Sequence, residues 1–358
     1  MIDDSIMRRC VYLHPTIREI FKNIQKQLDA EEIEVEFCDT LERATQLRFT
    51  GKKVVMRFDM SAIESTCLFV LSRRNGILNK YIEYLFYLIC AEYAFTNGEY
   101  LLAKYLSAKF DESFSILEEN LSNTSRDGDW QLYLVIHAFM FAHEIGHYRY
   151  FKDKDCVLTA KKLSKWMKRE ADQYLDQEIK GSKIIINVLN EQYFSEELFC
   201  DVDAAVVATT IATATDICFD ENNIADILLS QALVDIIKNT AMIFVDRRQP
   251  LDISHTLYCN MFRTFFSYNY LGKLLKNIVP ENNKKKKGDS QTQTLSEVFS
   301  FFGNQVDSIY NDNLKLIVEL VVNPKGVELT REEKKVTLDI LRKHIPLFYI
   351  DGKEYDKI

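Results

Sequence analysis

Apolar and polar residues alternate in two short stretches, "EIEVEF" at 32–37 and "KKVVMRFD" at 52–59. A period of two puts every second side chain on one face, the pattern of half-buried strands. The two are expected to pair across the segment between them. Residues 1–31 read as a polar amphipathic helix after a loose start. After the strands the period changes to three or four. Ser61 and Glu64 are spaced as a capping box ahead of "STCLFVLS". Residues 77–95, "ILNKYIEYLFYLICAEYAF", repeat apolar side chains at helical spacing, and Asn97-Gly98 ends them. A further helix is expected over about 99–120, and "LSNTSRDGD" at 121–129 is turn chemistry throughout.

Residues 130–150, "WQLYLVIHAFMFAHEIGHYRY", contain no Pro and a single Gly, Gly146. The stretch is apolar nearly all round, which marks a central, buried helix. A charged helix follows at about 161–180, and a second buried helix at about 195–217. The C-terminal third reads as mostly helical, broken by "PENNKKKKGDSQTQT", a solvated loop. There are no internal repeats. Strands come early and helices after, so the expected class is α+β with helix dominating. Three regions follow. Residues 1–125 form a strand and helix region, 126–270 a helical core, and 271–358 a helical region with a flexible lysine-rich loop at 281–294.

Of the 358 residues, 47% are hydrophobic and 27% charged, ordinary for a globular chain with room for a large core. The net charge of −8, with one dense basic run at 284–287, argues against a nucleic-acid surface. Eight cysteines without a C-x-x-C pair fit free thiols in a reducing compartment. The first twenty residues lack the apolar segment of a signal peptide. No uncharged apolar run reaches the ~18 residues of a membrane helix. A soluble cytoplasmic protein is expected, with neither nucleic acid nor membrane as partner.

Candidate chemistry sits in "FAHEIGHYRY" at 141–150. His143 and His147 are four positions apart and so share one helix face. They can point two imidazoles at one ion. Zinc accepts imidazole nitrogen at ~2.0–2.1 Å and, in a catalytic site, three protein ligands plus water. Glu144 projects beside the pair, placed to take a proton from that water. The H-E-x-x-H pattern is specific for a short motif. The alternative, two histidines packed in a buried helix, leaves polar groups to be satisfied in the core.

A third ligand is required, and "SEELFCDVDAAVVATT" supplies it. Glu197 and Asp201, again four apart, face one side of the second buried helix. Glu197 would complete the zinc shell, and Asp201 would accept the other ring N–H of a ligand histidine, fixing its tautomer. Glu170, in "KREADQYLD", is the alternative metal ligand, at a shorter spacing and inside a strongly charged helix. Glu196 pairs at helical spacing with Cys200 and is less suited. His255, in "DISHTLYCNMFRTFF", is a candidate donor to an oxyanion, with a loop or cap histidine as the plainer reading. His137 reads as a core histidine, and Tyr148 and Tyr150 as packing residues.

At "AHEIGH" followed by "EELFCDVDAA" the chain resembles the gluzincin metallopeptidases, which carry H-E-x-x-H on one helix and E-x-x-x-D on a later one. It is most similar in pattern to the soluble phage-exclusion (Lit-like) peptidases. There a strand running into a helix, as in "KKVVMRFDMSAIES", precedes a buried helix that ends in H-E-x-x-H. The resemblance spans roughly residues 32–266. It implies a zincin-like core, one zinc per chain and an intracellular endopeptidase acting on a protein or peptide substrate, with phage defence as its setting. A strand such as 53–57 would then bind extended substrate by edge pairing. Those families often have a later His-Pro and Arg element. Here "SHTLYCNMFR" offers His255 and Arg263, but Thr256 stands where the Pro would be. Repressor-cleaving stress-response peptidases also read "HEIGH", usually with an earlier third ligand, a relation that gains if Glu170 is the ligand. A non-catalytic zinc-binding regulatory protein is the remaining rival, though such a site has no need of Glu144.

Overall fold

The computed structural model describes residues 15–38, 40, 43–51, 53–124, 129–174, 187, 190, 192–215, 217, 219, 221–244, 254–267, 330–344, 349–350 and 353–354. Helix α1 (Pro15–Gln27) is amphipathic and lays Ile17, Phe21 and Ile24 into the core. Strands β1 (Ile33–Cys38), β2 (Gln46–Thr50) and β3 (Lys53–Asp59) form one sheet in the order β1-β3-β2. The two expected strands do pair, in parallel, with Ile33 opposite Val54. β2 was not expected; it turns back at Gly51, in the left-handed region at φ 63°, and runs antiparallel to β3.

This order corrects the expectation for 53–57. β3 is the middle strand, bonded on both sides, so an extended substrate cannot pair with it. The outer edges of this sheet belong to β1 and β2.

Helix α2 (Met60–Arg74) begins as β3 ends. Its cap is Asp59, whose carboxylate accepts from the backbone N–H groups of Ser61 (2.9 Å) and Ala62 (3.3 Å). Ser61 is therefore inside the first turn and not the cap. An acid at the strand's last residue reaches those N–H groups first. Helix α3 (Leu78–Thr96) ends at Asn97, with Gly98 at φ 78°. Helix α4 (Tyr100–Thr124) runs on through the first residues of the expected turn. Then come α5 (Asp129–Lys152), α6 (Lys154–Tyr174), α7 (Gln192–Ala214), α8 (Glu221–Phe244), α9 (Ser254–Phe266) and α10 (Arg331–His344). A two-stranded pair, β4 (Tyr349–Ile350) and β5 (Lys353–Glu354), closes the described chain. The lysine-rich loop at 281–294 lies outside the described residues.

The result is α+β with helix dominating. One contiguous cluster of buried residues runs from Ile17 to Phe266, so the first two sequence regions share a core. α5 is its axis. Val135, Ile136, Ala138, Phe139, Phe141 and Ala142 are fully buried, each large side chain worth roughly 1.5–3 kcal/mol. Phe141 stacks on Phe21 at 3.9 Å between ring centres. Among the described residues, no helix is long and apolar enough to cross a membrane.

Candidate metal centre

α5 packs most extensively against α7, and Gly146 sets how close they come. A Cβ at Gly146 would lie 3.0 Å from both Cα and Sγ of Cys200, tighter than most real Cβ contacts, so the helices would have to shift apart by a few tenths of an ångström. Beyond this contact α7 presents buried Ala204, Ala205 and Ala208. Small residues on both helices bring the polar faces at their crossing into contact.

Three side chains converge there. His143 Nε2 is 3.5 Å from Glu197 Oε2, and His147 Nε2 is 3.4 Å from Glu197 Oε1. One ligating atom from each lies within 4.8 Å of the others. Those separations are long for hydrogen bonds. They match donors sharing one tetrahedral ion, which at ~2.0–2.1 Å per bond stand about 3.3–3.4 Å apart. The opposite ring atoms each face a carboxylate. His147 Nδ1 hydrogen-bonds Glu196 Oε1 at 2.8 Å, while His143 Nδ1 stands 3.1 Å from Asp201 Oδ1 as an ion pair without hydrogen-bond alignment. A carboxylate beside each Nδ1 favours a proton there, which would leave Nε2 for a metal. Two imidazole nitrogens and one carboxylate oxygen, each imidazole oriented from behind, make a donor set that fits zinc.

The electrostatics are set by acids. Among the described residues, four carboxyl groups, those of Glu144, Glu196, Glu197 and Asp201, surround the two rings, against one guanidinium, Arg263 on α9. Burial disfavours the His143 cation, but Asp201 and Glu197 outweigh it and push its pKa up to about 10. His147 is opposed by burial and raised by Glu196 and Glu197. Burial would raise the Glu197 and Asp201 carboxyls, yet Arg263 and the histidines hold both below the usual carboxylate range. Glu144 goes the other way. Burial raises it despite the attraction of both histidines. It is half-buried, on the same partly open side as His147 and Glu196. A carboxyl poised toward neutrality suits a group that must accept and release a proton.

The structure brings His143, Glu144, His147, Glu197 and Asp201 together, each in the relative position its helical spacing suggests. Glu170 lies on α6 and His255 near the start of α9, with both side chains outside the described residues. His137 is buried and bonds the Tyr133 carbonyl through Nδ1 at 2.8 Å, while burial lowers its pKa to about 4, so it is a neutral core histidine. Tyr148 and Tyr150 are buried packing residues.

Two contributors were not assigned their roles from sequence. Glu196, passed over as a ligand, orients His147. The signal was available, since two histidines need two Nδ1 partners and Asp201 serves one. Arg263 was noted only through the resemblance. It forks onto Asp201, with Nε donating to Oδ2 and Nη2 to Oδ1, both at 2.7 Å, and Nη1 stands 2.7 Å from Glu197 Oε2. Buried carboxylates demand a buried cation, but their spacing cannot say from which helix it comes.

Comparison with protein-family models, curated proteins and solved structures found no match for the chain.

Proposed function

We propose that this chain is a zinc-dependent endopeptidase of the gluzincin type, acting on a protein or peptide in the cytoplasm. The observation that carries the reading is the convergence of His143 Nε2, His147 Nε2 and the Glu197 carboxylate, with Glu144 beside them. When bound there, zinc supplies polarisation of a carbonyl and acidifies water. His143, His147 and Glu197 are the ligands, and Asp201 and Glu196 fix the two imidazoles from behind. Glu144 takes the proton from the attacking water and passes it to the departing amine nitrogen. Its half-open position is what a purely structural zinc site would not require. Because Glu197 meets both histidines, the ligand spacing favours the gluzincin pattern over that of the repressor-cleaving peptidases. The phage-exclusion setting rests on the "AHEIGH" and "EELFCDVDAA" resemblance alone. Free buried cysteines, six among the described residues, suit a reducing compartment.

The test is Glu144→Gln. The amide keeps the shape and cannot accept the proton, so zinc and fold should stay while hydrolysis falls about 10²–10⁴-fold. New N-termini appearing in a cell extract treated with wild type, and missing with the variant, are the readout. The same termini at the same rate from both proteins would remove Glu144 from the reaction and the peptidase reading with it.

A further inference from the structure

We propose that Arg263 makes Glu197 a one-oxygen metal ligand and thereby keeps a coordination position open for water. The inference rests on the zinc reading above and concerns what the chain does to that site. Both oxygens of Glu197 face an imidazole, Oε2 at 3.5 Å from His143 Nε2 and Oε1 at 3.4 Å from His147 Nε2, but the contact with Arg263 Nη1, at 2.7 Å, is made by Oε2. If both oxygens turned to the ion, two imidazoles and a chelating carboxylate would fill four positions without water. A guanidinium on Oε2 opposes that rotation.

Arg263 is itself fixed. Its Nε and Nη2 form a fork on Asp201, and Nη1 also donates to Asn260 Oδ1 at 3.1 Å. Packing on either side sets its helix. Phe262 meets Phe194 at 6.4 Å between ring centres, and Phe266 meets Trp166 at 5.6 Å. The residue is only 3% exposed. It is therefore a positioning residue, acting through Glu197 and Asp201 rather than on a substrate. The planar fork explains why the residue is Arg. An ammonium is a point charge and cannot hold two carboxylates in one fixed frame.

The first test needs no variant. X-ray absorption on zinc-loaded wild type should show four neighbours at about 2.0–2.1 Å, two of them imidazole, with a single carboxylate oxygen and a water. A chelating carboxylate, with two oxygens on the metal, overturns the proposal. No bound zinc overturns the metal reading itself, and this inference falls with it. The second test uses Arg263→Lys and Arg263→Gln, checked for fold by circular dichroism. Zinc affinity should fall about 10–100-fold, the range for groups that act behind a ligand. X-ray absorption of the zinc-loaded variants should show the second Glu197 oxygen on the metal in place of the water. A folded variant with wild-type affinity and a wild-type absorption spectrum contradicts the proposal. If neither variant folds, the wild-type absorption spectrum decides alone.

Discussion

Arg43, Glu92 and Asp59 are buried beside the sheet, while His143, Glu197, Asp201 and Arg263 are buried, and His147 half-buried, where α5, α7 and α9 meet. In the first cluster Arg43 Nη2 meets both Glu92 oxygens, at 2.7 and 2.6 Å. Asp59 caps α2, takes a hydrogen bond from the Thr40 hydroxyl, and its backbone N–H donates to Thr45. Burial wins there, and the Glu92 and Asp59 carboxyls stay raised despite Arg43. In the second cluster the partners win, so Glu197 and Asp201 are lowered and His143 is raised. The difference lies in the donors. The first is a knot of acids and one cation that pins the segment between β1 and β2 against α3. The second adds two imidazole nitrogens that converge with a carboxylate oxygen on one point. Buried charge is therefore no mark of a site in itself; convergence of metal-binding atoms is.

Cutting each cluster should separate the two roles. Glu197→Ala is expected to have the largest effect, emptying the metal site from about one zinc per chain to near none, as read by metal analysis. Glu170→Ala in the same assay should retain the metal; the reverse order would move the third ligand to α6. Glu92→Gln should leave zinc content alone and lower stability by about 3–5 kcal/mol in urea unfolding, the cost of stranding a buried partner. Loss of metal from a folded Glu92→Gln protein would erase the distinction.

Acid sensitivity adds a smaller effect. His137 has its pKa lowered from 6.5 to about 4 by burial. Below about pH 6.5 the unfolded chain takes up a proton that the folded chain refuses. Stability from this residue therefore falls as pH drops from 6.5 through about 4, by about 3 kcal/mol in full. Urea unfolding at pH 7.5 and 4.5 should show a smaller acid loss in His137→Gln than in wild type; equal losses would contradict it. Smallest among the metal effects, Asp201→Asn and Glu196→Gln should each weaken zinc binding about 10–100-fold. A larger loss than from Glu197→Ala would mean that the roles of the acids are exchanged.

What the sequence made legible was whatever repeats within one element. Four-residue spacing put His143 with His147 and Glu197 with Asp201, and the near-continuous apolar run announced α5. Alternation announced β1 and β3. What depends on contacts between elements stayed hidden. "QLRFT" is too short and polar to declare β2, which exists because β3 offers it an edge. The path from β1 to β2 turns on Arg43, held at φ 47° and paired with a glutamate on α3. Asp59 and Ser61 are both good caps on paper, and only the end of β3 chooses between them. Arg263 takes its role from the way α9 meets α7, which no spacing encodes.

Metal analysis of protein purified without chelator, wild type beside Glu197→Ala, tests the metal centre most directly. The expected result is about one zinc per wild-type chain and close to none in a variant that keeps its helical circular dichroism. Wild-type protein free of any transition metal, or a folded variant that holds as much zinc as wild type, would contradict it.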